Sequence, residues 1–364
     1  MDITRANTRA FTHYNSFHEL LNRSVKTAAV SLIILKDDIV KSRRSIAAIK
    51  GECYELKTLW GGMPDWSSET AAIDAIGLAQ HDLGASGVVK AFSAFDVFLE
   101  TLEGELNSWK SFSRSKGCEE ATSATKVNPE GDGDCPPADA TEETEPNARL
   151  LRFFERHGWG VGDVEYLLPI YTYFQLLRNC VAHTDARVTP ALQASSQAKK
   201  WNASIAEWKK KTTDLTMPIP HELLAGSRIK ITYKEAILAS SMLRMLAWSM
   251  SRRAVASLGE TGVLYVLISR ILKERATDLV GGKQHLSRLH HHLKFVYRID
   301  KLTIADTKER LQELDLWETW RAWHESVVAS ENATALKTSS TGRLRMKSGR
   351  GGPKRTAAKA SHET

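Results

Sequence analysis

The stretch Ser86-Gly87-Val88-Val89-Lys90-Ala91-Phe92-Ser93-Ala94-Phe95-Asp96-Val97-Phe98-Leu99, continued through Leu102 and Leu106 to Trp109, decides the fold class. Val88, Phe92, Phe95, Leu99, Leu102, Leu106 and Trp109 follow one another at spacings that alternate between four and three. Such a period lays large apolar side chains along one seam of a helix about six turns long. A second seam runs through Leu167, Ile170, Phe174, Leu177 and Val181. Between them the spacing predicts a short helix from Ala148 to His157, closed by Gly158 in the left-handed region.

Outward from these seams the chain keeps a helical period. Residues 16 to about 59 read as helix, interrupted near Gly51. Thr232-Tyr233-Lys234-Glu235 reads as a capping box opening a long helix through Ile237, Leu238, Met242, Met245, Leu246 and Met250 to about Gly259. The apolar stretch Val263 to Leu272 follows. Asp306-Thr307-Lys308-Glu309 then reads as the cap of a helix carrying Leu311, Leu314, Trp317, Trp320 and Trp323. Ten prolines and 22 glycines are too few for strands turning every ten residues or so. The expectation is an all-α helical bundle with a helical C-terminal extension.

Hydrophobic residues make up 42% and charged residues 26% of 364, the balance of a soluble globular chain. The apolar run Ala28 to Leu35 falls far short of the roughly 20 residues of a bilayer crossing, and Met1-Asp2-Ile3-Thr4-Arg5 does not read as a signal peptide. The expectation is a cytoplasmic protein, with Cys53, Cys118, Cys135 and Cys180 as reduced thiols. The net charge of +7 is unevenly spread. Residues 332–364 hold eight Lys and Arg against one Glu, and residues 118–148 hold nine acidic residues against one Lys. Neither segment has an apolar period, so both are expected to be disordered, as an acidic loop (118–147) and a basic tail (331–364). The tail, with Arg350, Lys354 and Arg355, reads either as a phosphate-holding segment or as a solvated extension without a specific partner. The acidic loop reads as a spacer, with screening of a basic surface as the alternative.

The histidines His285, His290, His291 and His292 raise the question of a metal. On a helix the partner of His285 would lie three or four residues on, where Arg288 and Leu289 stand, and three consecutive histidines point in different directions. No metal site or cofactor is expected. With Lys283, Arg288, Lys294 and Arg298, the stretch reads as a basic, RNA-facing helix.

One motif carries chemistry. Leu176-Leu177-Arg178-Asn179-Cys180-Val181-Ala182-His183 closes the second seam. Arginine is permanently charged and donates two parallel hydrogen bonds to a phosphodiester. Histidine moves protons near neutral pH. Five residues separate the two widely around an unbroken helix. A helix ending at Ala182, with Thr184-Asp185 as the polar stop, lets the chain curl and bring the imidazole back to the guanidinium.

Here the sequence resembles the HEPN domains, all-α bundles whose signature is Arg, a polar residue, a short spacer and His at the end of a core helix. Arg178-Asn179-Cys180-Val181-Ala182-His183 matches that pattern, and Ala91 to Leu99, with Asp96 among apolar residues, is similar to the family's earlier core helix. The resemblance covers residues 80–258. It departs from the family in the long acidic loop and at Thr184-Asp185, where many relatives have Asn-Gly or a nearby tyrosine. It implies an N-terminal helical segment (1–79) packing on a HEPN-like domain (80–258), with a helical region at 259–330 before the tail. It further implies a metal-independent endoribonuclease of toxin–antitoxin or antiphage defence. Arg178 would neutralise charge on the scissile phosphate and His183 would act as general acid or base. Asn179 would orient the motif through backbone or phosphate, with Asp96 as an auxiliary group. Two motifs would meet across a homodimer, and an antitoxin or other regulatory protein would restrain them. A silent HEPN-like RNA or nucleotide sensor, or a helical adaptor, are the alternatives.

Overall fold

A computed structural model describes residues 1–52, 66–116, 146–184, 186–197, 199, 201–211, 223–274 and 284–346. Among them the chain is all-α. The helices are α1 (Arg9–Val40), α2 (Ile46–Glu52), α3 (Glu69–Ser115), α4 (Ala148–Arg156), α5 (Leu168–His183), α6 (Pro190–Ser195), α7 (Asn202–Lys211), α8 (Tyr233–Glu274), α9 (His285–Phe295), α10 (Ile304–Glu313) and α11 (Trp317–Met346). A 3-10 turn, Glu165–Leu167, leads into α5. No strand occurs among the described residues, only two isolated bridges. The chain divides into two compact units, one of residues 6–263 and one of residues 1–5 with 264–364. The boundary expected at 79/80 lies inside α3, and the one at 258/259 lies inside α8.

In the larger unit the seam that decides the fold is the core. Val88, Phe92, Phe95, Leu99, Leu102 and Leu106 are all at most 4% exposed. Tyr14 of α1 packs on Phe95 and Phe98 with ring centroids 6.0 and 5.6 Å away, and Tyr171 of α5 lies 5.5 Å from Phe92. Burial of these rings removes large apolar areas from water, the main stabilising term. The second seam packs on the first: Leu167, Ile170, Phe174 and Leu177 are buried. Trp201 and Trp208, which belong to neither seam, are also fully buried.

Polar groups fix where helices start. The Thr8 hydroxyl accepts from the Phe11 amide, and Glu105 of α3 accepts from the Ala10 amide at 2.9 Å. A buried carboxylate thus sits at the positive end of α1. The His18 ring pairs Nδ1 with the Ser240 hydroxyl at 2.7 Å, while the Asn22 Nδ2 donates to Nε2 at 3.1 Å. That arrangement suits a neutral imidazole. Burial, helped by Arg244, pulls its pKa down to about 4. A histidine held neutral contributes stability in full above its ordinary value near 6.5, and loses it as pH falls towards 4. The unfolding free energy of the wild type, from urea titrations, should therefore drop across that window by at most roughly 3 kcal/mol. His18→Gln should show a flatter profile, and an equally steep one would refute the assignment.

Several boundaries differ from expectation. The N-terminal helix breaks at residues 41–45, ahead of Gly51, which lies inside α2, because Ser42 takes a φ of +52°. Cys53 and residues 53–65 lie outside the described residues, as do Cys118, Cys135 and the acidic segment 117–145. Thr232 and Glu235 make half of the expected box: the Thr232 amide donates to Glu235, but its hydroxyl takes the Lys234 amide. α8 breaks where expected, at Gly259 (φ +64°). This helix contains an apolar window long enough to cross a membrane, half of it buried inside the protein.

In the smaller unit, the cap of α10 lies three residues before the expected one. Thr303 is the N-cap and Asp306 the reciprocal carboxylate, because a capping box places the acid three residues inside. Leu314 closes α10, and Asp315 (φ +54°) turns the chain, so Trp317, Trp320 and Trp323 belong to α11. The tail expected from 331 is helical as far as Met346. Extending an existing helix through Ala333, Ala335, Leu336 and Lys337 needs no new nucleus. Arg350, Lys354 and Arg355 lie outside the described residues.

Candidate functional site

α5 carries the Arg178–His183 motif at its C-terminal end, and its inner face packs on α3. Leu177 and Cys180 are buried, which turns Arg178 and Asn179 to a half-buried position and leaves His183 exposed. The helix does not stop at Ala182. It runs through His183, and Thr184 caps it by donating its amide and hydroxyl to the Cys180 carbonyl at 3.1 and 2.9 Å. Ala186 (φ +56°) returns its amide to the same carbonyl, and its own carbonyl accepts from Ile229 at 2.8 Å. The expected curl is therefore absent. Five residues of regular helix set Arg178 and His183 about 140° apart around the axis. The structure does not bring the two together within one chain.

Arg178 is instead within electrostatic reach of Asp96. Both arginines, Arg149 and Arg178, act on the Asp96 carboxyl, yet burial pushes its pKa above the ordinary carboxylate value. Arg149 of α4 makes the direct ion pair, with Nη1 2.7 Å from Asp96 Oδ1 and Nη2 3.3 Å from Glu100. Asp96 is thus a charged partner in a cluster, not a solvated residue on an open helix face. Tyr171 lies buried against the same groups, and burial raises its pKa. Arg178 donates to the Asn179 side-chain carbonyl at 3.2 Å, so Asn179 orients the guanidinium directly and not through the backbone. The Arg178 Nε is buried without a hydrogen-bond partner among the described residues. A buried donor left unmade costs on the order of 1–3 kcal/mol, which a bound anion would recover.

Arg149 was invisible to the motif search. It sits 53 residues from Asp96, across the acidic segment. A signal existed nonetheless: Asp96 and Glu103 are seven apart, as are Arg149 and Arg156, and Arg156 pairs with Glu103 as Arg149 does with Asp96. Matching spacings of seven on two helices put both pairs on facing sides. Arg149 further lines a small open pocket with Leu99, Glu100, Glu103, Phe153 and Arg156.

The basic histidine-rich stretch forms α9. Arg288, Lys294 and Arg298 are exposed there, and Lys283 lies outside the described residues. The histidines have separate surroundings: His290 pairs with the Leu302 carbonyl at 2.7 Å, His292 packs edge-to-face against Tyr297, and His291 lies tilted against Phe295. His285 contacts His324 of α11, with ring centroids 3.7 Å apart, a partner 39 residues away that helical spacing could not reveal. No three His, Cys, Asp or Glu among the described residues converge to hold a metal ion. Comparison with protein-family models, with curated proteins and with solved structures gives no match to this chain. What the site does is therefore argued from its own chemistry.

Proposed function

We propose that the protein is an endoribonuclease of the HEPN type, cutting RNA without a metal ion and acting in toxin–antitoxin or antiphage defence. One observation carries the reading. In an all-α bundle, the motif arginine at the end of α5 donates to Asn179 and acts electrostatically on the acidic residue of the preceding core helix, with a buried donor still unmade. Arg178 binds the scissile phosphate and offsets the charge that develops in the transition state. An imidazole from His183 takes the proton of the RNA 2′-hydroxyl, whose oxygen attacks phosphorus. The bond to the 5′-oxygen breaks, a second imidazole protonates that oxygen, and a cyclic phosphate remains.

Two imidazoles and the wide separation of Arg178 from His183 in one chain both call for a second copy of the motif. The protein is expected to be a homodimer in light scattering. A monomer at working concentration with full activity would overturn the composite site. The test of the reading is incubation of purified protein with mixed RNA in EDTA, beside His183→Ala: cleavage should persist in the first and vanish in the second.

A second reading has one observation behind it. The unbroken helix through His183 leaves a single chain with a phosphate-binding arginine and no imidazole beside it. A module that binds RNA or nucleotide without cutting it would look the same. It predicts RNA binding in the absence of any product, whereas a helical adaptor would do neither.

A further inference from the structure

We propose that the solvent side of α9 and the turn after it bind single-stranded nucleic acid, with Phe295 stacking on a base and Lys294 and Arg298 holding phosphates. The helix has already placed its apolar residues inside, since Leu289 and Leu293 are fully buried. Phe295 nevertheless stands 63% exposed, a large ring that the core of its unit does not use. A cation and a second ring lie beside it. The Lys294 Nζ lies 5.6 Å from the ring centroid, and the His291 ring 4.3 Å from it. Arg298 is exposed in the left-handed turn that follows (φ +58°).

Charge favours a polyanion. From Gln284 to Ile299 the sequence has no Asp or Glu. Asp2 and Asp300 flank the end of the stretch, joined by two backbone hydrogen bonds, and Asp2 is engaged by Lys301 and the Thr4 hydroxyl. An exposed aromatic ring among cations is the combination that binds unpaired bases: the ring offers a face for stacking and the cations follow the backbone. A lipid surface fits less well, because an interfacial helix turns its apolar face outward and α9 turns its own inward. An intact duplex also fits less well, since its bases are already stacked. Binding here does not require Arg178, which belongs to the other unit.

The test uses the full chain and a short fluorescent 2′-O-methyl oligouridine, whose blocked hydroxyl cannot attack. Phe295→Ala should weaken binding between about 5-fold and 100-fold without changing its salt dependence. Phe295→Trp should keep the affinity, and Phe295→Leu, which retains bulk but no ring, should lose it like alanine. The pair Lys294→Gln and Arg298→Gln should flatten the salt slope by about one to two units. Binding of the corresponding duplex should not respond to Phe295→Ala. Wild-type affinity in the Leu or Ala variant, or an equal loss for the duplex, would overturn the proposal. Should the Ala variant misfold, the comparison of Leu with Trp decides alone.

Discussion

Replacing Arg178 or His183 with alanine is expected to abolish RNA cleavage while leaving the helical content unchanged. The two losses have different sources. In the proposed mechanism His183 moves protons, and removing such a group costs about 10²–10⁴ in rate. In that mechanism Arg178 stabilises charge that appears only in the transition state, where one lost donor costs about 10²–10³. Neither change should disturb packing. His183 is exposed, and Asp96 keeps its ion pair with Arg149 when Arg178 is gone. Far-UV circular dichroism and an assay on mixed RNA separate the outcomes. Wild-type cleavage by either variant refutes the assignment, and a large drop in helicity would mean that the residue is structural.

The proposed homodimer gives this result a second edge. A mixed dimer of wild type and His183→Ala holds one imidazole where the proposed mechanism uses two, so an excess of the inactive His183→Ala protein should depress wild-type cleavage. Two single-chain sites would be unaffected by such mixing.

What the sequence made legible is what depends on local period. The seam from Val88 to Leu106 fixed the class, since no other arrangement buries those residues on one side. Boundaries were less legible because they depend on single backbone angles. Ser42 and Asp315 both turn in the left-handed region, which ordinary residues rarely enter and which no spacing announces. In the site, Arg178 could be read from its motif, but its surroundings could not. Arg149 reaches Asp96 from beyond the acidic segment, and His324 reaches His285 from another helix. Such pairs are decided by packing, which the period of one helix does not encode.

Gly84→Ala is expected to destabilise the larger unit by several kcal/mol, although alanine is the better helix former. An added methyl at Gly84 would stand 2.5 Å from the Thr232 carbonyl oxygen and 2.9 Å from the Ile231 side chain. The obstacle is mostly backbone, so it cannot rotate away. One turn on, a methyl at Gly87 would meet the Ala236 Cβ at 2.6 Å. The two glycines thus let the start of α8 cross α3 in direct contact, and the crossing also carries the Ile231 amide to His81 at 3.1 Å. Forcing it apart acts like overpacking a core, which costs about 1–3 kcal/mol, and more where backbone must move. The intrinsic gain of alanine over glycine, about 1 kcal/mol, is too small to offset that. Gly77 and Gly104 on the same helix provide the control, because nothing lies within 4 Å of a methyl at either position. Alanine there should raise the urea midpoint while alanine at Gly84 lowers it. If all three variants shift the midpoint upward, α3 and α8 do not cross as closely as the structure places them.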